Sequence, residues 1–163
     1  QTKIPLQVAE GKIYKLSPGK HNKLEVAIVE DFGPRFAPGA KLIYLGDTAK
    51  KTLVFDKAVF AKLGIPVSEH GKFPDVILYD SKKKWLFLIE AVTSHGPVSP
   101  KRQFELEKLF EKCKAGKIYV TAFLDFAAYK KYAKDIAWET EVWIAETPSH
   151  MIHLNGDKFL GPR

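Results

Sequence analysis

The sequence predicts an α/β domain, a mixed sheet flanked by helices, on three observations. Two apolar runs, Asp75–Asp80 and Trp85–Glu90, are separated by the polar Ser81-Lys82-Lys83-Lys84 and read as a β-hairpin. The second run is apolar at almost every position, as expected of a central strand buried on both faces. A capped amphipathic segment follows it and leads into another strand, the alternation from which α/β sheets are built.

Taken in order, residues 1–23 read as a lead-in segment, because Lys12 to Lys23 is polar and turn-rich around Ser17-Pro18-Gly19. From Leu24 to Glu30 the spacing Leu24, Ala27, Ile28 suits a helix and Leu24, Val26, Ile28 a strand; the helix is preferred. Gly33-Pro34 and Pro38-Gly39 mark a loop. Lys41–Leu45 reads as a buried strand stopped by Gly46-Asp47. A short strand at Thr52–Phe55 runs into a helix with Asp56 as N-cap, Val59, Phe60 and Leu63 on one face, and Gly64 past its end. Beyond the hairpin, Ser99 caps a helix with Pro100 at its first position, apolar Leu106, Leu109, Phe110 and Cys113, and Gly116 beyond. A strand at Lys117–Ala122, a helix from about Asp125 to Lys134, and strands near Glu141–Ile144 and Met151–Leu154 complete the chain.

At 163 residues, 45% hydrophobic and 28% charged, the chain is sized for one domain with a sizeable core. Twenty-six Lys and Arg against 19 Asp and Glu leave a net +7, a balance that favours a polyanionic partner. One cysteine, Cys113, excludes an internal disulfide or a cysteine-rich zinc site. No apolar run is long enough to span a membrane, and none follows Lys3 as a signal peptide would require. The start at Gln1 suggests a fragment or a processed terminus.

Candidate chemistry centres on the hairpin. Pro74-Asp75 opens one strand and Glu90 closes the other, with fourteen residues between the two carboxylates, so folding the hairpin brings both to one sheet edge. Two carboxylates that close repel unless a cation lies between them, and hard oxygen ligands favour Mg²⁺, which can also accept phosphate oxygens. Such an ion would polarise a phosphodiester, acidify a water and neutralise a leaving oxygen. On geometry alone, two solvated carboxylates at strand ends are the commoner case.

Pro-Asp, a gap, then a glutamate ending a buried strand resembles the PD-(D/E)xK nuclease core, whose helix, three strands, helix, strand order the chain also follows. That motif places lysine two residues after the glutamate, where this chain has Val92. Candidates for the missing base are Lys101 or Arg102, in the first turn of the following helix, and His95, in the loop before it. Phe73 to Asp80 (FPDVILYD), Leu88 to Arg102 (LIEAVTSHGPVSPKR), Asp135 to Glu146 (DIAWETEVWIAE) and His150 to Arg163 (HMIHLNGDKFLGPR) are similar to the BsuBI/PstI family of type II restriction endonucleases. Tyr44 to Thr48 (YLGDT) fits as well. The resemblance runs from about Lys41 to Arg163.

It implies a restriction-endonuclease-like catalytic domain over residues 1–163, without the helical DNA-binding region that precedes it in the family. It also implies Mg²⁺-dependent cutting of both strands of a palindromic, CTGCAG-like site by a homodimer. The enzyme would be cytoplasmic in a bacterium or archaeon, beside a cognate methyltransferase with which it forms no stable complex. Asp75 and Glu90 would be metal ligands and catalytic residues, and Glu30, if on the first helix of the fold, a third carboxylate.

For DNA contacts, Lys50-Lys51, Lys82–Lys84 and Lys101-Arg102 concentrate positive charge, whereas Asp135 to Asp157 holds no Lys or Arg. The Thr93–Ser99 stretch leads into a helix N-terminus, where small hydroxyls such as Ser94 and Ser99 and backbone N–H groups suit a phosphate. Lys101, Arg102, Gln103 and the Asp47–Lys50 loop are possible base readers. Other signals weigh little: His150 and His153 would point to opposite faces of a strand, Cys113 belongs to the core, Trp85, Trp138 and Trp143 read as packing, and Ser94-His95 lacks a nucleophile elbow. Two rivals remain at this point, a non-catalytic basic DNA-binding module and a repair or resolvase-type nuclease of the same fold.

Overall fold

The structure, a computed structural model, describes residues 3–8, 11–46 and 52–156. Lys50, Lys51, the Asp47–Lys50 loop and the end of the chain from Asp157 lie outside the described residues.

The expected hairpin is its centre. Strand β5 (Val76–Asp80) pairs antiparallel with β6 (Trp85–Val92), the register running from Val76 opposite Ile89 to Asp80 opposite Trp85. The tight connection closes because the Asp80 carboxylate accepts the N–H groups of Lys82 and Lys83. Around it lies a seven-stranded mixed sheet, completed by β3 (Lys41–Leu45), β4 (Val54–Phe55), β7 (Gly116–Phe123), β8 (Thr140–Ile144) and β9 (Met151–Leu154), in the order β4-β3-β5-β6-β7-β8-β9. The steps β6 to β7 and β7 to β8 are parallel, and each is bridged by a helix: α4 (Pro100–Leu109) and α5 (Phe126–Tyr132).

The sheet's two faces carry separate cores. Phe87, Ile89 and Ala91 of β6 point to one face, where they meet Leu24, Ile28 and Phe32 of the first helical layer and Trp143 of β8. Leu86 and Leu88 point to the other, against Phe60 and Leu63 of α3 (Lys57–Leu63) and Leu106 and Phe110 of the α4 layer. This period-two sorting is why β6 reads as apolar throughout. Cys113 is buried in the second core, as expected. Asp56 caps α3, its carboxylate accepting from Val59 N–H, and Gly64 ends it with φ +82°. Ser99 and Asp125 cap α4 and α5 in the same way.

Three expectations need correction. The lead-in segment belongs to the fold: β1 (Ile4–Gln7) and β2 (Ile13–Leu16) form a hairpin whose Leu6 and Leu16 are fully buried in the first core. Its apolar residues are too sparse to read as strands, yet at period two they cover the helical layer. Next, Gly33-Pro34 is helical. Helix α1 (Lys20–Ala27) continues through a π-helical turn, Ile28–Phe32, into α2 (Gly33–Phe36), and Pro34 falls at the start of the resumed α turn, where its missing N–H costs little. Finally, of the tryptophans only Trp143 is fully buried; Trp138 is 69% exposed and Trp85 41%.

Candidate active site

The hairpin register, continued one step past Val76 and Ile89, sets Asp75 opposite Glu90 at one end of the sheet. Asp75 is held by a hydrogen bond from the Ala91 backbone N–H to Oδ2, 2.8 Å long. Glu90 alternates with Leu88 and so faces the α4 layer. Its side chain is only 12% exposed. Burial and the neighbouring Asp75 carboxylate push the Glu90 carboxyl up to about 7, against a pull downward from Arg102. A carboxylate that crowded gains from a cation.

Two further groups arrive from α1, spaced i, i+4 so that one helix face presents both. His21 Nε2 lies 3.3 Å from Asp75 Oδ1 and 3.5 Å from Glu25 Oε2. Glu25 is fully buried, and ligand atoms of His21, Glu25 and Asp75 lie within 4.8 Å of one another. Hydrogen bonding to Asp75, then to Glu25, raises the His21 imidazole to about 10 against the cost of burial, so the ring is a cation at neutral pH. The donor set fits a divalent ion: carboxylate oxygens of Asp75 and Glu25 lie with the His21 imidazole within one cluster, and Glu90 stands opposite Asp75 across the hairpin.

The sequence-predicted residues divide. Asp75 and Glu90 meet. Glu30 does not join them: it lies in the π-helical turn and accepts a hydrogen bond from Gln7 N–H at 3.0 Å, turned towards the β1–β2 hairpin. The carboxylate that reaches the site is one and a half turns earlier, Glu25, and with His21 it was missed because both lie in or beside the stretch taken as lead-in. Their signal was the His21-x-x-x-Glu25 spacing in phase with Leu24 and Ile28. Lys101 is exposed on the first turn of α4 and has no ion pair among the described residues. Its neighbour Arg102, expected on DNA or as the alternative to Lys101 for the missing motif lysine, donates from Nε to Glu90 Oε2 at 2.7 Å.

His95 and Ser94 are exposed beyond the end of β6, the Ser94 hydroxyl 3.1 Å from His95 Nδ1. Ser99 uses its hydroxyl as the α4 cap, accepting from Arg102 N–H, and half-buried Gln103 follows it on the same turn. Val92, at the motif's lysine position, is 1% exposed and packs with Phe123, Ile136, Val142 and Ile144. On β9, His153 pairs with Glu141 across the strand and not with His150.

Comparison with known proteins places the chain in a family. The model of the BsuBI/PstI restriction endonuclease domain matches residues 4–157. The chain is 54% identical over 162 residues to the type II restriction enzyme BsuBI of Bacillus subtilis, covering 99% of this chain and 51% of that protein. It is 33% identical over 165 residues to the type II restriction enzyme AplI of Arthrospira platensis, covering 97% and 51%. The SdaI restriction endonuclease structure superimposes with a TM-score of 0.91 at 45% identity, over 99% of this chain and 51% of that one. The chain thus spans about half the length of these relatives, and its fold is restriction-endonuclease-like. With the matched residues running from the β1–β2 hairpin to the end of the sheet, the chain belongs to the BsuBI/PstI restriction endonuclease domain family.

Proposed function

We propose that this chain is the catalytic domain of a type II restriction endonuclease that hydrolyses DNA phosphodiesters with Mg²⁺. The observation that carries the reading is the convergence of Asp75 and Glu90, with Glu25 and His21 beside them, at one sheet end of a domain of this family. Asp75 and Glu90 would hold the ion, with Glu25 the third carboxylate within reach. Bound there, the ion would neutralise charge on the scissile phosphate and lower the pKa of the attacking water.

The chain's own groups do the rest. The Ala91 N–H fixes Asp75 Oδ2 and leaves Oδ1 directed at the cluster. The exposed Ser94–Gly96 loop and the N-terminus of α4 follow directly from the strand that carries Glu90, and there the DNA backbone would sit. His95, exposed in that loop, and Lys101, exposed on the first turn of α4, would contact phosphate, with Gln103 half-buried beyond them. Lys50 and Lys51 are assigned the same role from sequence alone. Cleavage of both strands of a palindrome, CTGCAG-like by family resemblance, calls for a two-fold homodimer, since symmetric DNA is matched by a symmetric protein.

The test is digestion of plasmid DNA by the full-length protein with Mg²⁺ and with EDTA, beside Asp75→Ala. Discrete fragments that need Mg²⁺ and vanish in Asp75→Ala support the reading. A folded protein that binds DNA without cutting it under any divalent ion overturns it in favour of a binding module. Cutting at junctions or damage without a fixed banding pattern would instead mark a repair-type nuclease.

A further inference from the structure

The site has carboxylates from two strands but no lysine from the strand that carries Glu90, because the side chain at Val92 is sealed in an apolar cluster. Permanent positive charge reaches it by another route. Ser99 stops β6's outgoing loop and starts α4, its hydroxyl accepting from Arg102 N–H at 3.1 Å, which sets the side chain of Arg102 on the helix face turned to the sheet end. The guanidinium is then used on three sides. Nε donates to Glu90 Oε2 at 2.7 Å, Nη2 donates to the Lys72 carbonyl at 2.9 Å, and Nη1 lies 3.6 Å from Glu105 Oε1.

The Lys72 contact carries the consequence. Lys72 ends a short 3₁₀ segment, Val67–Lys72, and stands three residues before Asp75. One planar group therefore grips both the Glu90 carboxylate and the backbone that delivers Asp75. A lysine has no fork with which to make both contacts. Since an arginine stays protonated, it accepts no proton from the attacking water. Its side chain is 24% exposed, so it is covered by protein on the side of these contacts and still open to solvent.

We infer that Arg102 is a positioning residue of the cleavage reaction, the brace that fixes Glu90 and the segment before Asp75 as a working pair in a site that lacks the motif lysine. The inference rests on the nuclease reading above. It separates Arg102 from the exposed cation Lys101, one residue earlier on the same turn.

The experiment measures single-turnover cleavage by the full-length protein in Mg²⁺ and affinity for the same duplex in Ca²⁺. Arg102→Gln is expected to lose about a hundredfold in cleavage rate while DNA affinity stays within about threefold, since misplacing catalytic groups costs rate rather than ground-state binding. Arg102→Lys, which restores charge but not the fork, is expected to recover part of the loss. Arg102→Ala should regain activity on addition of millimolar guanidinium, a response that a merely structural residue would not give. Arg102→Gln cleaving within about threefold of the parent overturns the inference, as does a loss confined to DNA affinity. Should the Gln and Ala variants not fold, Arg102→Lys decides, and a parental rate from it overturns the brace. A parent that fails to cleave overturns the nuclease reading itself, whereas a cleaving parent indifferent to residue 102 overturns only this inference.

Discussion

The closeness of Asp75, Glu90, Glu25 and His21 sets the protonation of Glu90 and of His21 in the absence of metal, and this yields predictions at the level of single residues. Glu90 is raised from 4.5 to about 7, first by burial and then by Asp75. The fold therefore favours its protonated form, and the stability this gives is complete below about pH 4.5 and lost as pH rises through about 7. His21 is raised from 6.5 to about 10 by Asp75 and Glu25, so its contribution is complete below about pH 6.5 and lost as pH rises through about 10. In EDTA the melting temperature should thus fall as pH rises, in two overlapping stages, from about pH 4.5 to 7 and from about pH 6.5 to 10. Glu90→Gln should remove the first and His21→Asn the second, and thermal scans across this range check both. A melting temperature that rises between pH 7 and 10 would contradict the assignment of His21. Of this set the sequence displayed two members. Asp75 and Glu90 were legible because a hairpin with a four-residue connection has one foldback, and its register is set by alternating apolar residues. Glu25 and His21 were not legible, because nothing local says that α1 crosses that end of the sheet.

The elements themselves follow local rules closely where a cap or a breaker is present. Asp56, Ser99 and Asp125 each start a helix by accepting an N–H three residues on. Ser99→Ala should cost about 1 kcal/mol by chemical denaturation, the usual value of an N-cap, and it should also slow cleavage because the same hydroxyl seats Arg102. The valine at the motif position gives a second prediction. Val92→Lys would restore the letter of the motif but put an ammonium among Phe123, Ile136, Val142 and Ile144, at a desolvation cost of several kcal/mol. The expected result is a clear loss of stability in denaturant titrations with no gain in cleavage rate. Where no cap stands, reading the sequence failed. The first helix begins at Lys20 without a side-chain cap and passes through a π-helical turn, so both its start and its run past Gly33-Pro34 were missed. Glu30 lies in that π-helical turn facing the β1–β2 hairpin, while Glu25 is the α1 carboxylate that lies beside Asp75.

On the scale of the whole molecule, the sheet separates two cores and gathers Asp75 and Glu90, with His21 and Glu25, at one end, so occupancy of that end should be readable in global stability. Protons and a divalent ion compete for the same carboxylates: below about pH 7 Glu90 holds a proton, and up to about pH 10 His21 is itself a cation beside Asp75 and Glu25. Ion binding must therefore release protons, and affinity must rise with pH. Because a ligand that binds only the folded state stabilises it by about 1.4 kcal/mol for each tenfold gain in affinity at saturating concentration, the effect is large enough to measure. The rise in melting temperature on adding Mg²⁺ should be small near pH 6 and should grow steadily towards pH 9, opposing the decline seen in EDTA. Asp75→Asn should abolish the Mg²⁺ response, since Asp75 contacts His21 and borders both Glu25 and Glu90. His21→Asn should shift the response to lower pH, because removing the resident cation frees the carboxylates earlier. A Mg²⁺-induced shift that is the same at pH 6 and pH 9, or that survives Asp75→Asn, would place the ion elsewhere and detach the carboxylate cluster from the metal. The β1–β2 hairpin, at the far side of the helical layer, supports this arrangement from behind: Leu6 and Leu16 hold down the layer that carries His21 and Glu25.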